Sequence, residues 1–438
     1  MINPASSSQP SLAAPPTLFE AFMVWWKIGI LSFGGPAAQI ALMHRMVVEE
    51  RGWLTEKQFL NALNFCMLLP GPEAMQLATY AGWRLHGLVG GLIAGLLFVL
   101  PGAVVIAVLA TIYVSYGDVQ LMHALFLGIK AAVLVIVVEA LLRVSKRALK
   151  GKEHYLIAAL AFVGIFFFQM PYPLLILMMA LYGFVRSTPP QAAGQNNSAD
   201  VAHPLPAGTF TSTLKTTAIW LSIWWLPILA LWLFGGADIL LELSLFFSKL
   251  AVVTFGGAYA VLAYMAQDVV AQFGWLTAGE MMDGLGLAET TPGPLILVTE
   301  FVGFLAAHKE GGLILGIAGA VVTLWVTFIP CFLWIFACAP YIEWLSAQHR
   351  LKSALSAITA AVVGVILNLS LWFALHVLFS NVTKTERGPL TLWQPELLTF
   401  DWRVALLAII SGVLLLKLHW NVIWVLAVAA MGGVLLSL

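Results

Sequence analysis

Long apolar stretches alternate with short polar ones along the whole chain. Apolar runs of roughly 20 residues, long enough to carry an α-helix across a bilayer, recur along the whole length. Spans are predicted near residues 18–49, 57–84, 87–115, 120–142, 154–169 and 172–186, then near 216–234. Six more follow near 240–272, 279–306, 311–338, 353–379, 402–418 and 420–437. The period-two alternation of a membrane β-barrel is absent. The pattern is that of an all-α polytopic membrane protein. Two polar stretches interrupt it. Residues 1–17 are rich in Pro, Ser and Ala without a basic start, so they read as a disordered tail and not a cleaved leader. Residues 187–213 are polar and of low complexity, and read as a linker.

The pattern also repeats. KIGILSFGGP (Lys27–Pro36) returns as KLAVVTFGGA (Lys249–Ala258), 222 residues further on. Residues 32–72 align with 254–294 without a gap, and sixteen of those forty-one positions are identical. GWLT at Gly52–Thr55 returns at Gly274–Thr277, and PGP at Pro70–Pro72 returns at Pro292–Pro294. Apolar composition alone does not align three motifs at one offset. The chain reads as an internal duplication, a common plan among secondary transporters. The repeats are residues 18–186 and 240–438, of about six transmembrane segments each, and residues 214–239 hold one connecting transmembrane helix.

A single connector between two even halves inverts the second half, and loop charge agrees. Arg143, Lys146, Arg147, Lys150 and Lys152 crowd one loop of the first half, which the positive-inside rule places in the cytoplasm. The matching loop, residues 380–401, has lost that excess: Lys384 and Arg387 face Glu386, Glu396 and Asp401. The turn near Asp118 is acidic, whereas its counterpart carries His349, Arg350 and Lys352. The expected arrangement is two inverted-topology repeats in a bacterial inner membrane, with the N-terminus and the linker cytoplasmic and the C-terminus periplasmic.

Helices are expected to break at the FGG and PGP motifs, because proline removes an amide donor and clashes with the preceding turn. The broken segments read as paired half-helices meeting near the midplane, with re-entrant hairpins as the alternative. Irregular backbone survives in hydrocarbon only where protein or a wet cavity satisfies it. Each half-helix N-terminus then offers free N–H groups and partial positive charge to an anion. The substrate-binding candidates are Gly34, Gly35, Pro36, Gly71, Gln76, Gly256, Gly257 and Gly293, with hydroxyls from Ser32, Thr254, Thr290 and Thr291. Lys27 and Lys249 join them, since a lysine at the bilayer centre costs about 3 kcal/mol unless compensated. Snorkelling to an interface is their ordinary alternative. Glu73, Glu289 and Glu300 are candidates for proton coupling, and equally for structural pairing or helix capping.

Composition narrows the function. The chain is 61% hydrophobic and 10% charged, with zero formal net charge, against roughly 25% charged in soluble domains. The lipid bilayer is a partner and nucleic acid is not. The three cysteines form no CxxC pair and the histidines no cluster, so neither disulfide nor metal is expected. HExxH, GxSxG and a P-loop are missing, which argues against an enzyme and against a cofactor.

The KIGILSFGGP run, the GWL turn, LPGPEAMQLATYAGWRLHG and the LPG at Leu100–Gly102, with TFGGAYAVL and TTPGP in the second half, resemble the chromate ion transporter family in its long two-domain form. The likeness spans residues 18–438 apart from the linker. It implies proton-motive-force-driven efflux of chromate across the plasma membrane, and chromate resistance. It carries over to Lys27, Phe33, Gly34, Gly35, Pro36, Pro70, Gly71, Pro72 and Gln76, whereas Ala258 stands where the first half has Pro36. The residues themselves specify only an anion, best divalent. Sulfate or another oxyanion, and an anion channel of the same architecture, stay open, and a homodimer is compatible.

Overall fold

The computed structural model describes residues 16–117, 119–187, 209–255 and 257–437. Nearly all of the expected tail, most of the linker, Asp118 and Gly256 lie outside the described residues. Helices α1 (Leu18–Leu31) and α2 (Gly35–His44) flank the first FGG break, and α3 (Glu56–Cys66) and α4 (Glu73–Tyr116) flank the first PGP break. Then come α5 (Gln120–Ala148), α6 (Lys152–Phe166), α7 (Tyr172–Val185) and α8 (Thr209–Leu233). The second half holds α9 (Asp238–Val253), α10 (Ala258–Gln267), α11 (Ala278–Thr290), α12 (Val298–Cys338), the short α13 (Ile342–Ala347), α14 (His349–Leu378), α15 (Trp402–Gly412) and α16 (Val422–Ser437). Five segments among the described residues are long and apolar enough to cross a membrane: 73–116, 120–148, 210–233, 295–341 and 349–378. The protein is a multi-pass α-helical membrane protein.

Local chemistry starts the half-helices at matched places. Thr55 and Thr277, the last residues of the two GWLT motifs, each cap a helix by accepting from the N–H of Gln58 and Glu280, whose side chains bond back. This reciprocal capping box satisfies two otherwise free donors. A further capping box at Thr17 and Glu20 opens α1.

The segments around the breaks do not run on across the bundle; they fold back. Phe65 and Tyr80, on opposite sides of the first PGP, have ring centroids 5.9 Å apart. Lys309 and Glu280 pair at 2.7 Å across the second PGP. The Lys249 ammonium lies 5.5 Å from the Tyr264 ring centroid across the second FGG, and Arg51 lies within electrostatic reach of Glu20 across the first. All four are therefore re-entrant hairpins, not broken crossings. The physical reason is that each break is followed by a second reversal. His86–Gly87 divides α4 into an inner arm and a crossing arm, and Gly311–Gly312 divides α12 likewise. Gly82 then packs on Gly90 and Gly303 on Gly319, an approach that only small residues allow.

One end of the bundle, called here the near end, gathers Pro16 with His86, the end of α5, the start of α6, the end of α7 and the start of α14. His86 Nε2 lies 2.7 Å from the Pro16 carbonyl, and Tyr182 donates to Glu153 at 2.7 Å. Arg186 and His349 line the same surface cleft. The first half's hairpins enter from this end, and the second half's enter from the far end. Among the described residues, α5, α8, α14 and the long arms of α4 and α12 are long enough to span a membrane, and α6, α7, α15 and α16 are shorter helices packed against α14 and α5.

The halves are interlocked. α5 packs on α15 and α16, α14 packs on α6 and α7, and the pairs α5–α14 and α4–α12 pack on each other. At the far end, the loop at residues 380–401 contains an antiparallel hairpin, β1 (Val382–Arg387) and β2 (Leu390–Pro395). It sits on the α6–α7 turn, where the Thr391 N–H donates to the Phe167 carbonyl at 2.7 Å.

A Cβ at Gly128 would collide with the Ala429 carbonyl, while Gly151 has open space around it. Overpacking a close helix contact costs about 1–3 kcal/mol. Gly128→Val should lower the melting temperature in detergent by several degrees and Gly151→Val should not. Equal melting of the two variants would contradict this packing of α5 on α16.

Candidate functional site

The hairpin tips meet inside the protein. The N–H of Gly71 donates to the Thr254 carbonyl at 2.9 Å, and the N–H of Gly293 donates to the Ser32 carbonyl at 2.8 Å. Gly71 and Gly293 are equivalent positions of the two halves, as are Ser32 and Thr254. Each FGG break is thus closed by the PGP break of the other half. Free backbone groups in a membrane cost several kcal/mol each, so these crossed bonds hold the tips together. The glycines have φ of +123° and +91°, in the region that side chains disfavour. Gln39 reinforces one junction, donating to the Gly293 carbonyl at 2.7 Å, and Gln76 the other, donating to the Pro70 carbonyl at 2.6 Å.

Beside the junction lies a cavity of about 160 Å³, entered from the near end. Its walls include the first turns of three helices: Pro36 and Ala37 of α2, Glu73 of α4, and Ala258 and Tyr259 of α10. Gly71, Gly257, Cys66 and Met67 complete the inner wall, and Arg143 and Arg147 of α5 form the side toward the near end. Each helix N-terminus contributes about half a unit of positive charge. The formal charges on the lining are the Arg143 and Arg147 guanidiniums and the Glu73 carboxylate; Arg143 is paired with Glu139 one turn away, so the attraction for an anion rests chiefly on Arg147 and the helix N-termini.

The other residues singled out from sequence divide by position. Gly34 (φ +85°) and Gly35 (φ +77°) form the turn into α2. The hydroxyls of Ser32, Thr254, Thr290 and Thr291 are spent on carbonyls of their own helices, at 2.6, 2.5, 2.8 and 3.0 Å. Glu289 is buried behind the cavity wall and accepts from the Tyr259 hydroxyl at 2.8 Å. Glu300 is buried, and among the described residues its Oε2 has no hydrogen bond. Lys27 and Lys249 are not at the cavity. Lys27 is exposed on the face of α1 that also exposes Met23, Trp26 and Ile30. Lys249 is exposed too, over the Tyr264 ring and within reach of Asp268. Their helix faces point outward, where long side chains extend along apolar surface. Sequence reading placed Arg143 and Arg147 in a loop. Their i,i+4 spacing on an unbroken α5, which puts both on one face, was the signal available.

Re-entrant hairpins meeting at a cavity inside a multi-pass bundle are an arrangement suited to a membrane transporter. The chain belongs to the chromate transporter family, whose model matches residues 19–184 and 241–434. It is 29% identical over 352 residues to the chromate transport protein of Cupriavidus metallidurans, covering 80% of this chain and 81% of that one. It is 33% identical over 360 residues to the chromate transport protein of Pseudomonas aeruginosa, covering 80% and 79%. An uncharacterised transporter of Bacillus subtilis is 28% identical over 165 residues, which make up 93% of its length but 37% of this chain. No solved structure matches the chain.

A methyl group on Gly71 would stand 2.7 Å from Gln76 Nε2 and 3.0 Å from Cys331 Sγ. Strained backbone of this kind costs about 1–3 kcal/mol. Gly71→Ala and Gly293→Ala should each cut transport at least tenfold while the protein still reaches the membrane. Transport by both at the wild-type rate would show that the crossed junction is not needed.

Proposed function

We propose that the protein exports chromate across the plasma membrane, drawing on the proton motive force and so conferring chromate resistance. The observation that carries this reading is the cavity, where three helix N-termini and two guanidiniums surround one small site. A neutral solute would leave that charge uncompensated. Two unit charges ~4 Å apart attract by about 4 kcal/mol at an effective dielectric of ~20; a dianion gains this from Arg147, and from Arg143 in competition with Glu139. The membrane potential acts in the same direction, since it is worth about 2.3 kcal/mol per charge per 100 mV and an inside-negative cell expels a dianion. The near end is cytoplasmic in this reading, because it carries Arg143, Lys146, Arg147, Lys150 and Lys152. The two halves are inverted repeats, which accounts for their hairpins entering from opposite ends.

Glu73 is the leading proton-coupling residue. Its carboxylate shares the cavity, so it repels a bound anion until it is protonated. Glu289, joined to the cavity through Tyr259, and Glu300 are the inner candidates. Chromate and sulfate are both tetrahedral dianions, so sulfate is the expected competitor.

The test is labelled-chromate uptake into energised everted vesicles, with a protonophore and with excess sulfate. Removing one charged partner at a partly exposed site costs about 1–2 kcal/mol, or roughly five- to thirtyfold in apparent affinity. Arg143→Met and Arg147→Met should each show such a loss, whereas Lys27→Met and Lys249→Met should stay near wild type. Glu73→Gln should keep anion binding and lose its proton dependence. Normal transport by both arginine variants, with failure of the lysine variants, would move the site to the outer face of the helices. Uptake indifferent to the protonophore but following an imposed voltage would indicate a channel.

The orientation has its own test. Alkaline phosphatase fused after Leu438 should be active and the same reporter within residues 187–213 inactive. Equal activity at both points would refute the inverted arrangement.

A further inference from the structure

α5 and α14 occupy matching places in the two halves, and their sequences align at an offset of 229: GIKAAVLVIV (Gly128–Val137) lies against AITAAVVGVI (Ala357–Ile366). This pairing carries the charged wall of the near-end cavity onto the far end. Arg143, Val144 and Arg147 correspond to Trp372, Phe373 and His376. The first set borders open space. The second is packed shut: Trp372 and Phe373 are buried at 5% and 0% exposure. The rings of Trp372 and His376 have centroids 4.2 Å apart, those of Trp372 and Phe373 5.5 Å, and those of His376 and Trp393 of β2 5.6 Å. The hairpin that supplies Trp393 is tied to the α6–α7 turn by the Thr391–Phe167 bond and by Lys384 Nζ to Gln169 Oε1 at 3.1 Å.

We propose that Trp372, Phe373 and His376, held down by Trp393, are the closed exit of the transport path. Opening this aromatic plug releases the anion at the far end. This rests on the transporter reading of the central cavity. If two equivalent halves alternate, the state facing the far end opens where the equivalents of the near-end walls lie. The substitution has a consequence for the substrate. The near-end wall carries two guanidiniums, of which Arg143 is paired with Glu139, and the corresponding far-end wall presents an indole, a phenyl and an imidazole. At the far end Lys130 is paired with Asp283 at 3.3 Å. The anion is therefore gripped on the near side and loosely held on the far side, an asymmetry suited to outward movement.

The experiment places a single cysteine at Phe373, with Leu369→Cys as the alternative position, in a protein lacking Cys66, Cys331 and Cys338. A membrane-impermeant thiol reagent is applied from the far side of energised vesicles. Labelling should be slow at rest and at least tenfold faster during chromate turnover, and Arg147→Met should suppress the increase. Trp393→Ala should raise labelling at rest. Transport that continues with labelling unchanged at both positions would overturn the plug while leaving the transporter reading intact. A protein that moves no chromate would overturn that reading instead. The plug would then stand or fall on whether Trp393→Ala exposes position 373.

Discussion

The structure depends on one constraint: backbone groups freed by a break in a helix must find partners before they meet hydrocarbon. Here the partners come from the other half of the chain. Gly71 bonds Thr254 and Gly293 bonds Ser32, so each half satisfies part of the other's breaks. The consequence is interlocking. Each hairpin tip is locked at its end by the opposite half, and the long helices follow, with α5 seated among the last helices of the second half and α14 among those of the first. Glycine at both donor positions is required because the chain must turn with positive φ and bring its amide to another backbone.

The same junction sets the electrostatics. Helices that begin inside the protein point their N-termini at a shared space, and three of them border the cavity. Backbone dipoles alone make a weak, unselective anion site. Two guanidiniums on one face of α5 add formal charge, which Glu73 on the lining and Glu139, paired with Arg143, temper. The halves differ in these side chains. Glu73 corresponds to Leu295, and the arginines correspond to Trp372 and His376. The backbone motifs recur in both halves while these cavity side chains differ between them.

Much of the fold was legible because hydrophobic length and motif spacing are properties of the chain itself. The segments and the break points at FGG and PGP read directly, and the half-length Bacillus subtilis relative fits a duplicated plan. What failed to read was direction. An apolar segment broken by glycine and proline has the same composition whether it continues or returns, and here all four return. The β-hairpin at 382–395 was missed because its strands are short and partly charged, and stand on a turn distant in sequence. Lys27 and Lys249 were misleading for a related reason. A lysine inside an apolar run announces an unusual position, but helix rotation decides whether it faces a cavity or the outer surface.

The sequence by itself determined that this is an α-helical membrane protein with repeated helix breaks, since hydrophobic period, proline and glycine act within a few residues of where they stand. Only the tertiary structure decided that the breaks are hairpin tips bonded across halves, that Arg143 and Arg147 face the cavity, and that Lys27 and Lys249 do not. Those outcomes depend on which partner satisfies each freed amide and on how each helix is turned about its axis. Both are settled by contacts between residues more than a hundred positions apart, as in the bonds of Gly71 to Thr254 and Gly293 to Ser32.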